Sequence, residues 1–192
     1  MRYYLGMAWQ QLTQLPPRTF ICGYCSNQVG SDKGIATQNT PQGFIYICPI
    51  CDKPSFFGGT IRSPGAPYGN AVDHVPASVN TLYNEARTCF AASAYTAAVL
   101  LCRKLLMNVS VSVGAGAGLK FIEYVEYLAA NGYVPPNGKG WVDHIRKKGN
   151  EATHEIQIMG EQDAKDLISF SEMLLKFIFE FPNKIAPLNK PP

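Results

Sequence analysis

Residues 19–25 read TFICGYC and residues 44–51 read FIYICPIC. How these two runs are read decides what the first third of the chain is. Each ends a β-prone stretch with two cysteines three positions apart: Cys22 and Cys25 follow Thr19-Phe20-Ile21, and Cys48 and Cys51 follow Phe44-Ile45-Tyr46-Ile47. Twenty-two residues separate Cys25 from Cys48. A C-x2-C turn aims two thiolates at one point, and a β-hairpin can bring a second such turn opposite the first. That is the ligand arrangement a tetrahedral zinc ion takes. Cys22, Cys25, Cys48 and Cys51 are therefore expected to hold one structural Zn2+ per chain, because four thiolates leave no open position for a substrate. Two disulfides are the other chemistry open to four cysteines. They belong to exported proteins, and MRYYLGMAWQQL at the N-terminus lacks the apolar core of a signal peptide. A module of about 40 residues buries little apolar surface, so metal binding is expected to supply much of its folding energy.

Outward from the cysteines, the intervening SNQVGSDKGIATQNTPQG is polar and turn-rich, and Lys53-Pro54-Ser55-Phe56-Phe57 offers another short strand. Residues 58–76, GGTIRSPGAPYGNAVDHVP, read as a Gly/Pro-rich linker, and His74 within them is given no role. From Ala77 the apolar period becomes helical. Ser78 can cap a helix running to about Phe90, Ala91-Ala92-Ser93 reads as a turn, and Ala94 to about Val111 forms a second helix that is apolar on nearly every face except at Arg103 and Lys104. Such a helix belongs at the centre of a bundle. GAGAG at 114–118 lacks the Lys-Ser/Thr of a phosphate-binding loop and follows no strand. A third helix spans about Leu119 to Ala130 and ends at Asn131-Gly132. A Pro135-Pro136 loop follows, then a helical stretch from about Trp141 that Gly149 divides, and a last helix from about Gln162 to Phe179. That last helix carries Phe170, Met173 and Phe177 beyond its main apolar stripe, more than a small bundle needs, so a homodimer is expected. Domain bounds are set at 1–57, 58–76, 77–182 and a loose tail at 183–192.

Composition bounds the function classes. Apolar residues make up 46% of the 192, enough for a core, and charged residues only 16%. The net charge of +3 is mild, with 5 Lys+Arg against 3 Asp+Glu over residues 1–75 and 12 against 11 thereafter, so any basic surface must be local. Its obvious candidate is Arg146, Lys147 and Lys148. No apolar run reaches the ~18–20 residues that span a bilayer, and a cytoplasmic protein without membrane contact is expected. Cys89 and Cys102 lie in apolar helical sequence and read as small buried hydrophobes.

NEARTCFAASAYTAAVLLCRKLL (84–106), followed downstream by IRKKGNEATH (145–154), resembles the domain-of-unknown-function 4145 family, which is placed in the HEPN superfamily of nucleotide-binding helical domains. The likeness covers roughly residues 78–181. It implies a mainly α chain: a HEPN-like helical bundle with a small N-terminal β zinc ribbon. It also implies that the chain is either a metal-independent ribonuclease or a relative that has lost catalysis and acts in binding, in bacterial or phage conflict. Active members of the superfamily carry an Arg, a polar residue and, a few positions on, a His that acts on a phosphodiester. With His154 and Asn150 in the latter two places, the Arg position falls on Gly149. Lys148 could substitute only as a point charge, and Arg146 would stand about 12 Å from His154 along a helix at ~1.5 Å per residue.

The leading expectation is thus a catalytically degenerate interaction module that binds RNA, DNA or a partner protein, with Arg146, Lys147 and Lys148 as nucleic-acid contacts. The other reading is an endoribonuclease using His154 with Asn150 and with Lys148 or Arg146. The plain readings of the same residues are structural: His154 hydrogen-bonded to a carbonyl or to Asn150, Asn150 as a helix cap, Arg146 to Lys148 as a solvated face, and Arg103 paired with Glu123, Glu126 or Glu151.

Overall fold

The computed structural model describes residues 9–38, 42–134, 140–141, 143–145, 147 and 158–185. The chain divides into two compact units, Met1–Pro67 and Tyr68–Pro192.

The first unit is a five-stranded antiparallel meander in which every strand pairs with its sequence neighbour: β1 (Thr13–Ile21), β2 (Gln28–Ala36), β3 (Gly43–Ile47), β4 (Pro54–Gly58) and β5 (Ile61–Ser63). Pro16 and Pro17 cannot donate to a ladder, and they sit in β1, an edge strand whose register shifts between Gln14 and Arg18. One face gathers Leu15, Phe20, Val29, Tyr46 and Phe57 with Cys22 and Cys48. Phe57 meets Phe20 edge-on at 5.2 Å and Tyr46 at 5.7 Å between ring centroids. The Tyr46 hydroxyl donates to the Pro16 carbonyl at 2.9 Å, fastening the irregular part of β1 across β2.

Five strands beside the helices make the chain mixed α/β, which corrects the expectation of a mainly α protein. About 20% of the described residues are strand and about 47% helix. The physical reason lies in β2. QVGSDKGIA has no apolar alternation, and only Val29 and Gly34 are buried in it, so the polar run between the cysteine pairs reads as turn. It holds its place through main-chain pairing on both sides and through Ser31, whose hydroxyl donates to the Ile47 carbonyl at 2.8 Å. Gly34 is required there: a Cβ would stand 1.8 Å from the Ile45 carbonyl oxygen and 2.8 Å from Leu15 Cδ1.

The second unit contains α1 (Ala77–Ala91), α2 (Tyr95–Ser112), α3 (Phe121–Ala130), α4 (Glu161–Leu175), a π-helical turn (Lys176–Glu180) and α5 (Phe181–Ile185). Residues 140–141, 143–145 and 147 are helical as well. The apolar helix α2 contributes Ala98, Val99, Cys102, Leu105, Leu106 and Val109 to the core and packs against α1, α3 and α4. Pro76, not Ser78, stands at the start of α1, and no side chain caps it. α3 ends at Asn131, with Gly132 at φ +78°, where glycine alone is unstrained. Arg103 lies with its guanidinium 4.4 Å over the Phe121 ring, and Trp141 meets Phe170 edge-on at 5.1 Å. Among the described residues no helix is long and apolar enough to cross a membrane.

The stretch 58–76, read above as a linker, is divided between the units. Gly58, Gly59 and Thr60 turn the β4–β5 hairpin. Tyr68, Val72 and Val75 belong to the helical core. Two residues of the NEAR run hold this strap: Arg87, buried in α1, donates from Nε to the Tyr68 carbonyl at 3.0 Å and from Nη2 to the Gly69 carbonyl at 2.8 Å, and Asn84 Oδ1 accepts from Arg87 Nη1 at 2.9 Å. Glu172 on α4 completes the clamp by accepting from the Asn70 backbone N–H at 2.8 Å and from its side chain at 3.0 Å. Pro135-Pro136, Gly149 and the tail from residue 186 lie outside the described residues.

Candidate metal centre

The two cysteine pairs form matching turns. Ser26 N–H donates to the Cys22 carbonyl and Asp52 N–H to the Cys48 carbonyl, both at 2.9 Å. Cys22 N–H donates to the Asn27 carbonyl at 2.8 Å and Cys48 N–H to the Lys53 carbonyl at 3.0 Å. Ser26 and Asp52, each directly after the second cysteine of its pair, adopt left-handed φ values of 59° and 55°. The Tyr24 N–H points at Cys22 Sγ, 3.4 Å away, the kind of donor that stabilises a thiolate. One knuckle closes the β1–β2 connection and the other the β3–β4 connection, so the meander carries both to the same end of the sheet.

There the four sulfurs lie within 4.8 Å of one another, with Cys22 and Cys48 buried and Cys25 and Cys51 half-buried. Cys22 and Cys51 sulfurs are 3.6 Å apart, and those of Cys25 and Cys48 are 3.8 Å apart. A disulfide needs about 2.05 Å, and all four thiols are free. An ion bound to four sulfurs at ~2.3 Å places them ~3.8 Å from each other in a tetrahedron, so this donor set fits such an ion with little movement. The thiols can hold a metal ion. The cation would also relieve an electrostatic conflict: burial pushes the Cys51 thiol up to about 12, while at Cys25 burial is outweighed by hydrogen bonds from Asn27, which bring it down to about 7. Binding must displace protons from such a cluster, so affinity weakens as the pH is lowered.

The other expected site residues fare differently. Arg146, Lys148, Asn150 and His154, with Gly149, lie outside the described residues. Lys147 is helical and exposed, and its neighbour Ile145 is buried. Cys102 is fully buried in α2, where burial pushes its thiol up to about 12, and Cys89 is half-buried, both in keeping with apolar roles. One pair escaped the sequence reading. His144 Nε2 and Asp166 Oδ2 stand 2.8 Å apart, and Gln162 Nε2 donates to the other Asp166 oxygen at 2.7 Å. No fixed spacing announces a contact between residues twenty-two positions apart on different helices.

The ribbon carries a second group the sequence reading left unassigned. Arg18 lies over the Phe57 ring at 4.6 Å and Tyr46 at 5.7 Å, Arg62 over Phe57 at 5.3 Å and Phe20 at 5.8 Å, and Lys53 over Tyr24 at 4.9 Å. Arg18 stands 28 and 39 positions from Tyr46 and Phe57, a separation that leaves no local pattern.

The family model described as "Domain of unknown function (DUF4145)" matches residues 84–191. The chain belongs to the DUF4145 family. Its matched region begins at Asn84, the residue of α1 that orients Arg87, and takes in α2, α3 and α4. The ribbon lies before it. No curated protein and no solved structure matches the chain.

Proposed function

We propose that this DUF4145 protein is a zinc-stabilised nucleic-acid-binding module whose ribbon engages single-stranded RNA or DNA. Cys22, Cys25, Cys48 and Cys51 would hold the Zn2+, which supplies folding energy and no open coordination site. The observation that carries the nucleic-acid reading is the pairing of charge with rings. The described residues of the ribbon hold four cations, Arg18, Lys33, Lys53 and Arg62, against two acids, Asp32 and Asp52. Three of the four cations lie over aromatic side chains. Single-strand binders combine these two elements, cations that follow phosphates and rings on which bases stack. Phe20, Tyr46 and Phe57 are buried beneath the arginines, so the ring that would take a base is Tyr24, half-exposed beside Lys53 at the knuckle tip. The resemblance of the α1–α2 run to nucleotide-binding helical domains supports the same reading.

The test is fluorescence anisotropy of labelled RNA and DNA oligomers with the zinc-loaded full chain. Binding that weakens linearly in log K against log salt is expected. No binding to either strand type at low salt would sink the reading.

A second reading, an endoribonuclease acting through His154, gains some support from the His144–Asp166 pair, an imidazole oriented by a carboxylate in the same unit. RNA fragments ending in 2′,3′-cyclic phosphate, formed in the presence of EDTA and lost in His154→Ala, would favour it over the binding module.

A further inference from the structure

We infer that the cavity between Arg18 and Arg62 is a phosphate site, which in this protein takes a backbone phosphate of the nucleic acid; the inference deepens the preceding reading and rests on it for the source of the phosphate. The cavity, about 390 Å3, opens on the ribbon where the β4–β5 turn faces β1 and β3, and it is lined by Arg18, Arg62, Phe57, Phe44, Gln42 and Thr60 among others. Among the described residues no carboxylate lines it.

Two guanidiniums lie over one ring, both within 5.3 Å of the Phe57 centroid. Like charges brought to one apolar ring repel each other and lose water. Among the described residues neither meets a carboxylate in an ion pair. Arg62 donates from Nη2 to the Ile21 carbonyl, but its Nε is buried and has no partner among the described residues. A buried charged donor without an acceptor costs free energy that an anion in the cavity would recover. Burial pulls Arg62 below the usual arginine range, and Arg18 adds to the shift. Arg18 is exposed on the edge strand, and its contacts are the rings of Tyr46 and Phe57.

The donor set selects the ligand. Two planar forks on a ring suit a tetrahedral oxyanion that offers oxygens to both. Gln42 and the Thr60 hydroxyl add neutral donors, and Gly59 at the hairpin tip lets the anion approach the backbone, since nothing lies within 4 Å of where its Cβ would be. The ring floor excludes water beneath the anion.

The test uses the zinc-loaded full chain and two probes. Inorganic phosphate is titrated while the Arg18 and Arg62 Nε–H signals are followed by 1H–15N NMR. A labelled oligouridylate is titrated by anisotropy at several salt concentrations. Arg18→Gln is the main variant, because Arg18 is exposed and its loss should leave zinc content and the amide spectrum unchanged. Arg62→Gln is the second, and Lys33→Gln the control. The expected result is phosphate-dependent shifts at both arginines, loss of at least about tenfold in phosphate affinity in Arg18→Gln, and a salt slope for oligouridylate reduced by about one. Oligouridylate bound equally well by Arg18→Gln and wild type, with the same slope, overturns the inference and leaves the nucleic-acid reading standing. Phosphate bound at the arginines with no oligouridylate affinity supports the pocket and overturns the nucleic acid as its source. Phosphate shifts elsewhere, or none, overturn the pocket outright.

Discussion

Among the described residues the ribbon's core holds seven buried side chains, two of them the clustered cysteines Cys22 and Cys48, whereas the helical core holds twenty-two, of which only Cys102 and Met159 carry sulfur. The ribbon's strands are short and its longest polar strand, β2, buries only Val29 and Gly34. The helical unit buries whole faces of α1, α2, α3 and α4. The difference teaches that the two units rest on different physics. On the proposed reading, the first has too little apolar area to offset chain entropy and would depend on four sulfur–metal bonds. The second depends on burial of about 0.8 kcal/mol per methylene.

The largest effect follows from removing a ligand. Cys48→Ser should abolish stoichiometric zinc, a site worth roughly 10–16 kcal/mol in isolated zinc modules, and unfold the ribbon while the helical unit keeps its far-UV helix signal. Circular dichroism and metal analysis check this. Loss of the helix signal as well would break the contrast.

The converse variant lies in the helical core. Phe170 is fully buried, edge-on to Trp141. Phe170→Ala should cost about 3–5 kcal/mol, lowering the helical unit's denaturation midpoint while zinc content stays at one per chain.

These two variants probe what was legible in the sequence. The cysteine spacing was fully readable, because metal ligation demands fixed residue types at short intervals. The helices were readable to within a few residues, because α2 and α4 repeat their apolar residues at the helical period. β2 was not, since QVGSDKGIA carries neither period and is held by neighbouring backbones. The strap at 68–75 was hidden for a related reason. Its Gly, Pro and Asn residues have turn composition, yet Arg87, Asn84 and Glu172 hold them through main-chain groups that side-chain patterns do not report. The contacts of Arg18 with Tyr46 and Phe57, and of Arg62 with Phe20, join strands far apart in sequence, so no local pattern reports them.

A smaller effect tests the strap. Gly69 has φ +75°, and a Cβ there would meet the Tyr83 hydroxyl at 2.8 Å and Ile168 Cγ2 at 2.9 Å. Gly69→Ala should destabilise the helical unit by about 1–3 kcal/mol, read by urea denaturation, without touching the ribbon. An unchanged midpoint would show that the strap does not stabilise the helices.

The smallest concerns pH. Burial raises Glu172, but hydrogen bonds from Lys176 and Asn70 outweigh it and leave the carboxyl below its ordinary 4.5. A depressed carboxylate adds stability that is present above pH 4.5 and is lost as pH falls through the lower folded value. Wild type should therefore lose helical stability on acidification below that point more steeply than Glu172→Gln. Parallel pH profiles would remove Glu172 from the account.

The most direct test is to follow the amide 1H–15N spectrum of the full chain while a strong chelator strips the metal. The account predicts one zinc per chain at the start, then collapse of the signals of β1 to β5 to random-coil positions, with α1 to α4 unmoved and full recovery when Zn2+ returns. A chain that carries no zinc, or a ribbon whose signals stay dispersed after the metal is gone, would contradict it.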